Sequence, residues 1–125
     1  MLSFPPSPQV KVFVCRKAVD MRKSFNGLSG AVVEIVDHDP QSGHVFVFFN
    51  TRRTMMKALV WESSGYWVLA KRLDRGRFQV FESASGTASR FEITSSDLAL
   101  LLDGIDLRGA RRRHAQREVQ RRLST

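Results

Sequence analysis

The sequence predicts an α+β domain: an antiparallel β-meander sheet of about five strands, two helices packed on it, and a basic C-terminal tail. Three observations carry that expectation. Short apolar runs follow one another from Val45 to Phe81 with only polar turns between them. Two segments, one after Asp20 and one after Thr94, repeat apolar residues at intervals of three and four. From Arg108 to Thr125 the chain carries seven arginines against one glutamate.

Each element has its own reason. Phe4, Pro5, Pro6 and Pro8 hold an extended lead-in, because proline fixes φ and restricts the residue before it. Val10 to Cys15, VKVFVC, is rich in β-branched residues and reads as a short strand. Asp20 stands at an N-cap position. Met21, Phe25, Leu28, Val32 and Ile35 then mark one face of a helix. Gly27 and Gly30 interrupt that helix at a cost of about 1 kcal/mol each against alanine. They predict a neighbouring element lying close to the backbone.

Asp37 to His44, DHDPQSGH, is the loop into the meander, with Pro40 and Gly43 as its turn residues. Asp37, His38, Asp39 and His44 invite a metal reading, but their spacing matches neither a helical histidine pair nor a calcium loop. A solvated turn, with Asp and Ser side chains capping backbone groups, is the expectation, and no metal or other cofactor.

Val45 to Phe49, Met55 to Trp61 and Tyr66 to Leu73 are the three main strands. The polar loop Asn50 to Thr54 and the turn Glu62 to Gly65 join them. Arg77 to Phe81, after the turn Asp74 to Gly76, reads as a fourth. Trp61, Tyr66 and Trp67 are expected as core under the helices, with base stacking the alternative. Glu82 to Ser89 is small and polar, a loop; Arg90 to Ile93 adds a short strand. Thr94 and Asp97 form a capping box with Asp in place of Glu. Leu98, Leu101, Leu102 and Ile105 give the second helix its apolar face, with Gly104 near its end. Ala110 to Leu123 is helix-compatible, but its stripe of Ala115, Val119 and Leu123 is too thin to dock firmly. The division expected is one domain over residues 1–107 and an arginine-rich tail, partly helical or disordered, over 108–125.

Composition excludes several classes. A chain of 125 residues buries a core without metal or disulfide staples, and its single cysteine, Cys15, forms no intrachain disulfide. No apolar run approaches the roughly 18 residues of a membrane span, and MLSFPPSPQ lacks the parts of a signal peptide. A cytoplasmic protein without a membrane partner is expected. The net charge of +8 is unevenly spread: residues 1–107 hold 13 Lys and Arg against 11 Asp and Glu. A basic tail on a nearly neutral body suits a polyanion.

The strings DMRKSFNGL (Asp20 to Leu28), DPQSGHVFVF (Asp39 to Phe48), KRLDRGRF (Lys71 to Phe78) and LLDGID (Leu101 to Asp106) occur in an order that resembles a bacterial transposon family. This is the insertion-sequence 66 family TnpB protein, also called Orf2-like, an accessory product encoded beside a separate transposase. The resemblance runs from about Phe13 to Leu107. Departures are Ser24 and Asn26, where the family more often has Gly and Asp, and the long arginine tail. The resemblance implies a part in DNA transposition, with DNA, the transposase and the element's other accessory protein as partners. It carries over no catalytic motif.

The residues themselves point away from an enzyme. Two-metal cutting of DNA needs clustered carboxylates, and here Asp20, Asp37, Asp39, Asp74, Asp103 and Asp106 are scattered. The candidate nucleic-acid contacts are instead basic. In the body they are Arg52, Arg53 and Lys57 of the first hairpin, and Lys71, Arg72, Arg75 and Arg77 of the second. Lys57 and Lys71 lie on adjacent strands, within reach of meeting across the sheet. Such guanidinium groups grip phosphate in a bidentate fork, or simply guard a sheet rim against aggregation. In the tail they are Arg111, Arg112, Arg113, Arg117, Arg121 and Arg122, with 113, 117 and 121 on one helical face. Non-specific DNA binding through hairpins and tail is the expected function. The alternative is a protein-interaction subunit that scaffolds the transposase without touching DNA.

Overall fold

The computed structural model describes residues 2–80 and 89–104. Ile105, the tail from Arg108 and the segment 81–88 lie outside the described residues, and with them the boundary expected at residue 107. Among the described residues five strands form one sheet: β1 (Val12–Cys15), β2 (Val45–Phe49), β3 (Met55–Glu62), β4 (Gly65–Arg72) and β5 (Arg90–Ile93). Two helices accompany it, α1 (Phe25–Ala31), continued by a π-helical turn (Val32–Val36), and α2 (Ser95–Leu102). Strand order is β4-β3-β2-β1-β5.

The expected α+β class holds, with one parallel pair in a mostly antiparallel sheet. β1 pairs with β2 in parallel, Phe13 opposite Phe46, while β2·β3, β3·β4 and β1·β5 are antiparallel. The reason lies in the connection. Antiparallel neighbours need only a hairpin, but β1 and β2 are joined through α1, and a helical crossover returns the chain in the same direction.

Both faces of the sheet are covered, so β1 and β2 are buried at every position. On one face Val12, Val14, Val45, Val47, Met56 and Val60 pack with Leu98 and Leu101 of α2. On the other, Phe13, Phe46, Phe48 and Leu59 pack with Leu28, Val32 and Val36 of the α1 segment. The lead-in contributes to the α2 face through Leu2, Phe4 and Val10. It also borders a groove with Trp61, so lead-in rather than helix lies beside that residue. Trp67 is 50% exposed, contrary to its expected place in the core.

The fourth meander strand does not form between Arg77 and Val80. Phe78 belongs to no strand, buries its ring 5.6 Å from that of Phe49, and donates its N–H to the Arg53 carbonyl at 2.7 Å. Burying a phenylalanine contributes about 2–3 kcal/mol, more than a ladder hydrogen bond adds net. The sheet reaches five strands through β1 and β5 instead.

The first helix starts later than expected. Asp20 is not its cap: the carboxylate accepts the Arg22 backbone N–H at 2.9 Å and the Arg22 guanidinium at 2.7 Å, closing a local turn. Ser24 stands at the N-cap without a side-chain bond. Phe25, now the first helical residue, is 48% exposed, and Ala31 and Val36 replace it on the buried face. The β-branched run VVEIV crowds an α-helical turn, and the wider π turn rephases it. Asp37 ends it in the left-handed region at φ 58°. The glycines do not mark a close neighbour either. A Cβ on Gly27 would meet only Lys23, one turn back, and none stands within 4 Å of a Cβ on Gly30. The α2 cap forms as expected: Thr94 Oγ1 accepts the Asp97 N–H at 2.9 Å, and Asp97 accepts from Thr94 in return.

Candidate nucleic-acid interface

Strand direction decides which loops share an end of the sheet. β2 runs out into Asn50–Thr54, β3 starts there, and β4 runs antiparallel to β3 back to the same end before Leu73–Arg77. The Leu73 N–H donates to the Thr54 carbonyl at 2.9 Å, tying the two loops together. Arg52, Arg53, Arg72, Arg75 and Arg77 therefore gather at one end. Because β1 is parallel to β2, it also ends there and adds Arg16 and Lys17. Those two were missed in the sequence. The signal that finds them is the strand–helix–strand order, which makes the C-terminal ends of β1 and β2 neighbours.

The loop conformations hold these side chains in place. Asn50 organises the β2–β3 loop: its Oδ1 accepts the N–H groups of Thr54 (2.9 Å) and Met55 (3.1 Å), and its Nδ2 donates to Thr54 Oγ1 (3.0 Å). Arg53 takes φ 57°, a left-handed turn conformation. Its carbonyl is held by Phe78 while its guanidinium reaches the Val80 carbonyl at 3.5 Å. The Arg16 guanidinium lies over the Phe91 ring, 5.0 Å from the centroid. Arg16, Asn50, Thr51 and Arg53 border a shallow cavity of about 120 Å³ at this end.

Negative charge collects at the opposite end. There lie Asp37 and Asp39 before β2, Glu62 at the end of β3, and Glu92 and Asp97 around the end of β5, with Lys11 among them. At the basic end the carboxylates are Asp20, Asp74 and Asp103, the last at the C-cap of α2. The Arg22 guanidinium and backbone N–H on Asp20 hold its carboxyl down, to about 2, so that pair stays ionised and self-neutralised. A nearly balanced body is thus polarised along its strands.

Two of the candidate lysines do not join the basic end as a pair. Lys57 lies opposite Ala70 and Lys71 opposite Met56, so the two project from opposite faces and do not meet. The Lys57 ammonium donates to the Lys23 carbonyl at 2.7 Å on the α1 side, and the Lys71 ammonium to the Leu102 carbonyl at the C-terminal end of α2. Both anchor helices. Arg90 is a third such clamp: its Nη1 donates to the Val36 and Asp37 carbonyls at 2.6 and 2.8 Å, where the π turn exposes them. Gly104, at φ 73°, ends α2 against Leu73, 3.6 Å from where a Cβ would stand. The chain therefore leaves the described part at the basic end. Arg111, Arg112, Arg113, Arg117, Arg121 and Arg122 lie outside the described residues.

The histidine loop is a packed turn. His44 Nδ1 accepts the Lys11 N–H at 3.1 Å, His38 Nδ1 accepts the Asp39 N–H at 2.8 Å, and the Asp39 carboxylate accepts the Gln41 N–H at 2.9 Å. Both rings pack against Phe13. Among the described residues no three His, Cys, Asp or Glu side chains gather as a metal set. Cys15 is buried with its thiol donating to the Lys17 carbonyl, and burial pushes the thiol up, away from thiolate chemistry. No helix among the described residues is long and apolar enough to cross a membrane.

Comparison with known proteins agrees with the residue-level resemblance. The family model described as IS66 Orf2 like protein matches residues 10–112. The uncharacterized protein y4hO of Sinorhizobium fredii is 36% identical over 104 residues, covering 83% of this chain and 88% of its own. The uncharacterized protein y4jC of the same organism is 29% identical over 115 residues, covering 92% and 96%. No solved structure gives a significant match. The chain belongs to the IS66 Orf2-like family, accessory proteins of insertion sequences.

Proposed function

We propose that this protein supports DNA transposition by gripping duplex DNA through phosphate contacts at the basic end of its sheet, without reading base sequence. One observation supports it above the others. The body is almost neutral in sum, yet Arg16, Lys17, Arg52, Arg53, Arg72, Arg75 and Arg77 share one end, where Asp20 is held by Arg22, while Asp37, Asp39, Glu62, Glu92 and Asp97 lie toward the other. A rim that only guards against aggregation needs no such segregation. Arginine is suited to the task, since its fork grips phosphate oxygens from a fixed loop. The contact is positional rather than sequence-reading. α1 is only seven residues long, and it and α2 pack on the sheet through their apolar faces, so neither is free to enter a major groove. The reading includes no catalytic step. The transposase and the element's other accessory protein are its expected company on the DNA.

The test is fluorescence anisotropy with a generic duplex across a salt series. Log K is expected to fall with log salt at about −0.9 per phosphate neutralised. Arg52→Ala, Arg75→Ala and Arg77→Ala should each weaken binding and flatten the slope by about one such unit, while Lys11→Ala at the acidic end leaves both unchanged. A chain that binds no DNA at low salt sinks the proposal and leaves the scaffold reading, in which the same end docks on an acidic protein surface.

A further inference from the structure

We propose that β4 pairs antiparallel with β4 of a second copy, about a two-fold axis at Leu69, joining two five-stranded sheets into one. β4 stands last in the strand order, and among the described residues no strand covers its outer edge. At eight residues it is twice the length of β5, the other edge. Tyr66, Trp67, Val68, Leu69 and Ala70 run along it without a charge, proline or bulge, the devices that usually blunt an edge. Among the described residues, the chain just beyond β4 turns back toward the β2–β3 loop through the Leu73 and Phe78 hydrogen bonds and does not pair with this edge.

The strand complements itself when reversed. Aromatic residues, Tyr66 and Trp67, occupy its start; cations, Lys71 and Arg72, occupy its end. Trp67 and Lys71 project on the same face, since they lie opposite Val60 and Met56. A two-fold axis normal to the sheet sets like faces opposite each other, so residues of the same parity must pair. With the axis at Leu69, Trp67 meets Lys71 of the second copy, whose ammonium keeps its bond to the Leu102 carbonyl and has two further N–H groups, and Tyr66 meets its Arg72, each twice. Cation and ring then face each other across the new ladder. The half-exposed Trp67 loses its water. With the axis at Val68 the cations would meet Gly65 and Ser64, neither of which presents an aromatic ring. The arrangement sets the two basic ends at opposite ends of the joined sheet. It does not depend on DNA binding.

Sedimentation equilibrium of the full chain should show a reversible dimer. Trp67→Lys, at an exposed position that spares the fold, opposes like charges and should weaken association about tenfold or more. Mild oxidation of Leu69→Cys should give a disulfide-linked dimer faster than Val68→Cys or Ala70→Cys, because only at the axis does a residue face its own copy. Cys15 is buried and does not compete. A monomer at every concentration, a dimer untouched by Trp67→Lys, or faster linking through Val68→Cys overturns the proposal.

Discussion

His44 is a residue whose charge state the fold constrains through burial. Burial lowers its pKa, the neighbouring His38 and Lys11 lower it further, and Glu92 only partly offsets them. Its unprotonated Nδ1 accepts the Lys11 N–H, a bond the imidazolium would lose. The folded pKa therefore lies below the unfolded value of about 6.5. The associated stability is present above that pH and is lost as pH falls through the folded pKa. Thermal melts should show a plateau at neutral pH and a decline beginning below about pH 6.5, and His44→Asn should lessen that decline. An NMR titration of His44 with its midpoint above the ordinary histidine value would refute the account.

At the scale of elements, hydrogen-bond satisfaction decides how each helix begins and ends. α2 is legible in the sequence because its reciprocal Thr94–Asp97 cap is a local device, complete within four positions. Thr94→Ala should cost about 1 kcal/mol, read as a lower urea midpoint with an unchanged slope. A shift within error would show that packing of Leu98 and Leu101 alone holds the helix. α1 was less legible. Asp20 has the chemistry of a cap, but Arg22 two positions on competes for both carboxylate oxygens and wins through charge-assisted bonds. The clamps at helix ends, Lys71 on Leu102 and Arg90 on Val36, were invisible because their partners lie 31 and 54 positions away.

On the scale of the whole molecule, charge is organised along the strands. The described chain ends at Gly104, against Leu73 at the basic end, and the seven arginines from Arg108 onward lie outside the described residues. Deleting residues 109–125 should leave the far-ultraviolet spectrum of the body intact. It should also weaken DNA binding and flatten its salt dependence by several contacts' worth, at about 0.9 each. Unchanged affinity and slope in the truncated chain would assign the whole interaction to Arg16, Arg52, Arg72, Arg75, Arg77 and their neighbours.

The sequence by itself determined the strands Val45–Phe49, Met55–Trp61 (one residue short of the observed end) and Arg90–Ile93, the cap of α2 with its buried Leu98 and Leu101, and membership of the family, because these rest on periodicity, turn chemistry and local motifs. Tertiary structure alone decided what depends on strand direction and register. The parallel pairing of β1 with β2 brought Arg16 and Lys17 beside Arg52 and Arg53. A one-residue offset sent Lys57 and Lys71 to opposite faces. Phe78, a strand residue by pattern, became a core residue, its ring packed beside Phe49. Local pattern is blind to such choices: a strand has the same alternation whichever way it runs, and only its neighbours set which end and which face a charge occupies.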